Sequence, residues 1–299
     1  MYSPNDFNRN NLFQKFNGWI EWANQQFVEN YHKQGIIDDE IINKEWIKSY
    51  QSYNMILIHA NFIIINIQQM KLLEKKCIQE YKNFANQIDI RHNRIIFWSP
   101  TLINLISKVS PILSSIHFIQ DKIINIIGKK LNKPLGNRMR KVISGGKEKY
   151  SLPTGIFGLL RKYWIKSGEA VRKYRDIDQH HYSLINNSFI EVEPNERILI
   201  ILPDNPEVKK IEEFTFKHEK DTIRYLEEAF SSLHDFIEGL AGVFGFKNKK
   251  YSLTISLGQY GEFSEKRGTI ALRIHNIKTP EALRIAHDGK RLIINIIRK

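Results

Sequence analysis

Arg175 stands five positions before His180 within residues 171–182, a segment that reads VRKYRDIDQHHY. Arginine carries a permanent positive charge that suits phosphate oxygens, and histidine can take or give a proton near neutral pH. Together these two side-chain types can act on a phosphodiester. The chain has 15 arginines and ten histidines in 299 residues, so about one or two pairs near this spacing are expected by chance. The spacing alone therefore does not indicate a functional site, and the residues around the pair must be considered.

The helical periodicity of this segment separates an apolar face from a polar one. Five residues spaced three and four apart form the apolar stripe: Ala170, Tyr174, Ile177, His181 and Leu184. Arg172, Asp176 and His180 follow at intervals of four and form a separate polar stripe. Asp176 is thus one turn before His180, where a carboxylate can orient the imidazole and favour its protonated form.

Arg175 and His180 do not share a face of an ideal helix. Five steps of about 100° each place them about 140° apart around the helix axis. They can converge only if the helix ends or tightens near His180, or if a second copy supplies the missing group. This demand suggests a homodimer in which two such helices pair.

Positive charge is concentrated just before the motif. The net charge is +13, and residues 1–187 carry 27 basic against 15 acidic side chains. Residues 129–175 alone hold 14 basic residues against Glu148 and Glu169. Such an excess is either a solvated lysine-rich surface or an electrostatic footprint for a polyanion such as nucleic acid.

The composition predicts a globular protein of the cytoplasm. With 42% hydrophobic and 26% charged residues, the chain is too apolar to be disordered, and 299 residues suffice for a large core. The single cysteine, Cys77, fits a reducing compartment, and the N-terminus lacks the pattern of a signal peptide. The longest apolar stretch, residues 55–67, is too short and too polar to cross a bilayer. We therefore expect no membrane span.

The first 187 residues read mainly as helix. The periodicity predicts helices at residues 12–32, 39–87 (with an interruption), 101–109, 111–132, 154–166 and 168–184, and an extended link at 94–100. Residues 134–153 predict a loop, because they contain Gly136, Gly145 and Gly146 among many cations. This loop lacks the glycine spacing and the Ser or Thr of a phosphate-binding loop, which argues against a nucleoside triphosphatase.

Beyond residue 190 the pattern changes to strands and one clear helix. Apolar or alternating runs predict the strands of a small antiparallel sheet at residues 198–202, 251–257, 270–274 and 292–297. Residues 220–244 predict an amphipathic helix that packs on the helical body, whereas residues 279–281 could open a short helix, and the pattern does not decide that segment. The expected fold is α+β and predominantly helical, with a body at 1–187 and a mixed part at 188–299.

Residues 175–180, with the sequence RDIDQH, resemble the Arg-polar-x3-His motif of HEPN domains, all-helical modules common in bacterial defence and toxin systems. The basic and aromatic run at residues 161–164 and the second histidine, His181, add to the resemblance, which covers about residues 155–190. The family implies a helical bundle and metal-independent cleavage of RNA, without a cofactor, at a site shared across a dimer. The long N-terminal helices and the C-terminal strands depart from the compact family pattern.

The resemblance implies a role for each residue of the motif. His180 would be the general acid or base on the ribose 2′-hydroxyl, Arg175 would stabilise charge on the pentacoordinate phosphate, and Asp176 would orient the histidine. The product would carry a 2′,3′-cyclic phosphate. RNA would bind through basic residues around the motif, namely Arg138, Arg140, Lys141, Lys147, Arg161, Lys162 and Arg172.

Three functions remain open on the sequence. The first is a HEPN-like endoribonuclease that acts in antiviral defence or as a toxin. The second is a non-catalytic RNA- or nucleotide-binding regulator or scaffold that uses the same basic surface. The third is a structural partner whose cations are incidental, and the C-terminal sheet could itself bind a protein. No group of cysteines and histidines has zinc-ligand spacing, so no metal is expected.

Overall fold

The computed structural model describes residues 39–85, 94–180, 184–185, 187–191, 196–208 and 210–245, and four strands between residues 254 and 297. Its helices are α1 (Asp39–Ala85), α2 (Pro100–Ile106), α3 (Val109–Leu131), α4 (Met139–Lys149), α5 (Thr154–Tyr163), α6 (Glu169–His180) and α7 (Thr222–Val243). A π-helical turn, Trp164–Gly168, joins α5 to α6, and a 3-10 turn covers Ile211–Glu213. The helix predicted at residues 12–32 and the side chain of His181 lie outside the described residues.

A small antiparallel sheet accompanies the helices. Its strands follow the order β1 (Arg94–Ile95), β2 (Asn187–Glu191), β3 (Arg197–Leu202) and β4 (Lys220–Asp221). Ile190 pairs with Ile95 on one side and with Ile198 on the other, which fixes the register of the first three strands. The predicted α+β, predominantly helical fold class is confirmed.

The centre of the helical unit is α3. Its isoleucines at positions 112, 116, 119, 123, 124, 126 and 127 are at most 2% exposed. They pack against α1, α6 and α7, and each buried isoleucine favours folding by roughly 1.5–3 kcal/mol. The helix therefore stays in place while its remaining face carries polar side chains.

The run Pro100–Leu131, which holds α2 and α3, is long and apolar enough by length and composition to cross a membrane. In this structure 44% of its apolar window is buried inside the protein. Core helices of water-soluble proteins pass the same test, so this run is weak evidence for a membrane span.

Two helical predictions need correction. The loop predicted at residues 134–153 is wrong in its middle, where α4 forms. Asp121 of α3 accepts a hydrogen bond from the first amide of α4, at Met139 (2.9 Å), and Met139 and Val142 are fully buried. This tertiary support outweighs the glycines at the start of α4, whereas Gly146, with a φ of 80° and a ψ of 170°, leaves the helical conformation and kinks α4 before its last residues. The interruption predicted within residues 39–87 is also absent, because α1 is a single helix of 47 residues.

The described residues fall into two compact units. One unit includes the described residues from 39 to 245, since β3 packs on α1 and α7, and α7 packs on α3 and α5. The second unit includes the C-terminal strands. There, β5 (Thr254–Gly258) pairs with β6 (Ala271–His275), and β7 (Ala282–His287) pairs with β8 (Leu292–Ile297), both antiparallel.

Candidate functional site

A cleft of about 760 Å³ opens in the helical unit where α3, α4 and α6 meet. The α3 side contributes Ser114, His117, Phe118, Asp121, Lys122 and Asn125; the start of α4 contributes Asn137, Arg138 and Arg140; the π-helical turn contributes Trp164; and α6 contributes Arg172, Arg175, Asp176, Gln179 and His180. We refer to this site as the basic cleft.

The basic cleft gathers six of the ten site residues that the sequence predicts. These are Arg138, Arg140, Arg172, Arg175, Asp176 and His180. The other four, Lys141, Lys147, Arg161 and Lys162, do not line it. Lys141, Arg161 and Lys162 are exposed elsewhere on α4 and α5, and Lys147 is half-buried. The basic segment thus divides into a part that faces the cleft and a part that does not.

Arg175 and His180 line the same cleft in a single chain. Arg175 Nη1 donates a hydrogen bond to Oδ1 of Asp176 at 2.6 Å, which draws the guanidinium towards the polar stripe. The exposed His180 is the last residue of α6. One chain is therefore sufficient to bring the two groups of the motif to one cleft.

Asp176 binds two arginines. Arg172 Nη1 donates a hydrogen bond to its Oδ2, and Arg175 donates to its Oδ1. No hydrogen bond joins His180 to Asp176, although both side chains are among the described residues. In this arrangement the carboxylate aligns two guanidinium groups, which differs from the histidine-orienting role that the resemblance implies.

His117 is a functional candidate that the sequence reasoning missed. It lies on α3 with 18% of its side chain exposed, and its Nδ1 is 3.9 Å from Oδ2 of Asp121. Burial lowers the pKa of His117 below the ordinary histidine value. Asp121 and Asp176 oppose this change, whereas Arg175 and Arg172 reinforce it. The lowered pKa favours a neutral imidazole at pH 7.

A pattern on α3 could have revealed this residue. Ser114, His117, Asp121 and Asn125 recur at intervals of three and four on a helix otherwise rich in isoleucine, and all four line the basic cleft. A polar stripe at helical spacing on a core helix indicates a second, hydrated face.

Side-chain hydrogen bonds hold the three walls of the cleft together. Gln179 Nε2 donates to Ser114 Oγ at 2.9 Å, which ties the end of α6 to α3. Asp121 Oδ1 accepts from the Met139 amide and so fixes the start of α4 on the same helix. The polar stripe of α3 therefore contacts both basic walls.

The π-helical turn forms the fourth side of the cleft. Gln120 of α3 is fully buried, and its Nε2 donates to the hydroxyl of Tyr163 (2.7 Å) and to the carbonyl of Gly168 (3.3 Å). A Cβ at Gly168 would lie 3.0 Å from the Tyr163 ring, so only glycine fits this approach without a shift. The turn places Trp164, which is 7% exposed, against the cleft.

Cations outnumber carboxylates in the basic cleft. Lys122, Arg138, Arg140, Arg172 and Arg175 stand against Asp121 and Asp176. Arg138 and Arg140 are exposed, and within the described part of the chain no carboxylate forms an ion pair with either. The buried Nε of Arg172 likewise has no hydrogen-bond partner among the described residues. Arg138 and Arg140 thus offer positive charge and unpaired donors to an anion in the cleft, whereas the Arg172 Nε is closed to solvent.

No three His, Cys, Asp or Glu side chains within the described ranges lie close enough together to hold a metal ion. Comparisons with protein-family models, with curated proteins and with solved structures find no significant match to this chain. The residues of the basic cleft therefore carry what can be inferred about function.

Proposed function

We propose that this protein is a HEPN-like, metal-independent endoribonuclease that cleaves RNA in the basic cleft. The observation that supports this most is that Arg175 and His180 line one cleft with a surplus of positive charge. An always-charged guanidinium and a proton-transferring imidazole can together cleave a phosphodiester without a metal ion.

The surplus cations explain why RNA is the proposed substrate. The phosphates of RNA bind to lysines and arginines because this binding releases counterions from the RNA. Arg138 and Arg140, at the start of α4, are available for such contacts.

The proposed reaction is an internal transesterification. The ribose 2′-oxygen attacks phosphorus, the O2′–P bond forms, and the P–O5′ bond breaks to give a 2′,3′-cyclic phosphate and a free 5′-hydroxyl. His180 acts as general acid or base, a role that contributes typically about 10²–10⁴-fold. Arg175, aligned by Asp176, stabilises the negative charge that develops on the phosphorane oxygens.

The proposal includes a role in antiviral defence or as a toxin in the cytoplasm, and pairing of two copies through α6. Because one chain already supplies both groups of the motif, pairing would extend the RNA-binding surface. Sedimentation of the purified protein with and without RNA tests this part, and a monomer in both conditions would contradict it.

A non-catalytic RNA- or nucleotide-binding regulator is the second candidate. It is favoured by one observation, which is that Asp176 already occupies guanidinium donors of both Arg172 and Arg175. Such a protein would bind RNA in a salt-dependent way and leave it intact.

The deciding experiment incubates purified protein with RNA in EDTA and maps the new ends. His180→Ala and Arg175→Ala are compared with two matched controls away from the cleft. His218→Ala removes an exposed histidine that pairs with Asp204, and Arg224→Ala removes an exposed arginine that pairs with Glu228.

We expect the wild type and both controls to cleave and to leave 2′,3′-cyclic phosphates, whereas the two cleft variants lose cleavage. Unchanged cleavage in both cleft variants would remove the catalytic assignment. Binding that weakens with salt but produces no cleavage would favour the regulator. Absent or salt-insensitive binding would favour a structural protein whose cations are incidental.

A further inference from the structure

We infer that His117 is a second catalytic acid–base residue of the basic cleft and acts together with His180. The inference rests on the proposed ribonuclease function and deepens it. Transesterification requires two proton transfers, one from the attacking 2′-hydroxyl and one to the departing 5′-oxygen. One histidine can serve one of these transfers at a time, so a second group in the cleft has a defined task.

The hydrogen bond between Gln179 and Ser114 brings the two histidines to neighbouring turns. Gln179 immediately precedes His180 on α6, and Ser114 lies three residues before His117 on α3. Residues three apart on a helix share a face, so His117 follows Ser114 towards the cleft. Both imidazoles line it together with Arg175.

The surroundings of His117 differ from those of a histidine that only packs. His59 provides the comparison, because burial also lowers its pKa. Its Nδ1 lies 3.1 Å from Ser115 Oγ, and its ring stacks on Phe118 at 4.1 Å. His59 does not line the cleft. His117 does line it, and has no hydrogen bond to any other described residue. Its Nδ1 lies 3.9 Å from Asp121 Oδ2, beyond hydrogen-bond distance, and the exposed part of the ring can meet a substrate in the cleft.

The charges that face His117 indicate which transfer it performs. Asp121 and Lys122 stand on its own helix, Arg172, Arg175 and Asp176 face it from α6, and Arg138 and Arg140 lie across the cleft on α4. Burial and the two α6 arginines lower the pKa of His117 by more than Asp121 and Asp176 raise it, so the neutral ring is favoured. A neutral imidazole at pH 7 is a base, which assigns His117 to the 2′-hydroxyl.

The resulting step is balanced. His117 takes the proton of the 2′-hydroxyl as the O2′–P bond forms. His180, in its protonated form, gives a proton to the 5′-oxygen as the P–O5′ bond breaks. The two histidines finish with exchanged protonation states, and proton exchange with water restores them.

The test measures kcat/KM on RNA for His117→Ala and His117→Gln beside His59→Ala as the matched control. We expect both His117 variants to lose about 100-fold or more, with RNA affinity and melting temperature retained. Free imidazole should restore part of the activity of His117→Ala. The rate of the wild type should fall with acid at a pH below the ordinary histidine pKa, and this acid limb should disappear in both variants.

Each other result contradicts the inference in a distinguishable way. Wild-type rates in both His117 variants overturn it and leave the ribonuclease proposal standing. A loss that accompanies a lower melting temperature in both variants, with no rescue by imidazole and an unchanged pH profile, shows a structural role only. Absence of any RNA cleavage by the wild type removes the proposed function and this role together.

Discussion

Two clusters of arginines and carboxylates in this molecule differ in their balance of charge. At the edge of the four-stranded sheet, Glu191 accepts hydrogen bonds from Arg197 Nε (2.6 Å) and from Arg94 Nη2 (3.0 Å). Arg94 also binds Glu219. Two cations thus stand against two anions, and every one of these four side chains is engaged within the protein.

The basic cleft has an excess of positive charge instead. Asp176 engages Arg172 and Arg175, and Asp121 faces His117, yet Arg138 and Arg140 remain without an acidic partner in the described ranges. A balanced cluster joins elements of the fold, whereas a surplus of one sign requires an external counterion. The comparison therefore separates arginines that hold the structure from those available to a ligand.

The largest expected effect is a loss of catalysis on removing a cleft arginine. Arg175→Ala should lower kcat/KM on RNA by about 100-fold or more, because charge on the phosphorane loses its stabilising cation. Arg197→Ala at the sheet edge should leave kcat/KM unchanged. Steady-state kinetics of both variants, beside their melting temperatures, check this. Equal losses in the two variants would mean that the clusters do not differ in function.

The next effect concerns RNA affinity and its dependence on salt. Arg138→Gln and Arg140→Gln should each remove one phosphate contact. Each should therefore reduce the slope of the logarithm of the RNA association constant against the logarithm of the salt concentration by about one. Arg94→Gln should not change the slope. Binding titrations at several salt concentrations measure it. If Arg161→Gln and Lys162→Gln reduce the slope equally, the RNA surface extends over α5, as the sequence predicts.

A smaller effect is expected for Asp121→Asn. The asparagine keeps an oxygen that can accept from the Met139 amide, so α4 should stay in place. Removal of the negative charge further lowers the pKa of His117, because Asp121 normally raises it. The acid limb of the pH–rate profile should therefore move to lower pH. An acid limb at an unchanged pH would show that Asp121 does not influence the group whose titration sets the rate.

The smallest effect is expected at the sheet edge. Hydrogen bonds from Arg197 and Arg94 hold the pKa of Glu191 below its ordinary value. Its contribution to stability is therefore present above the ordinary glutamate pKa and is lost as the pH falls through the lowered value. Glu191→Gln should reduce the melting temperature by about 2 °C at pH 7, and the difference should vanish in acid. A constant difference at all pH values would indicate a packing effect.

The sequence predicts those elements whose information is local. The apolar stripe of α7 and the apolar run of β3 predict nearly the observed bounds of these elements, because residue spacing alone defines them. The helix α4 was missed, because its first amide is bound by Asp121, 18 residues earlier in the chain. The pairing of β1 with β2 joins Arg94 to Glu191 across almost one hundred residues, and no local pattern encodes it.

The candidate site was predictable to a similar extent. The motif of α6 and the arginines of α4 were recognised by residue type and charge, and the structure brings these together in one cleft. His117 was missed because an isolated histidine on an isoleucine-rich helix resembles a core residue. The pairing of Arg172 with Asp176 follows from their spacing of four on one stripe, whereas the hydrogen bond from the neighbouring Arg175 to the same carboxylate does not.

The π-helical turn before α6 has a consequence for insertions and deletions. Such a turn holds about one more residue than a regular α-helical turn, and each residue in a helix adds about 100° of rotation. Deletion of one residue between Trp164 and Gly168 would restore regular winding and keep every residue of the motif. Because the turn winds its extra residue into nearly the same rotation, this deletion would leave the direction of His180 largely unchanged. A one-residue deletion within α5 would instead rotate α6 by about 100° and direct His180 away from α3. The orientation of the motif therefore tolerates the loss of a residue inside the π-helical turn and not in the helix before it.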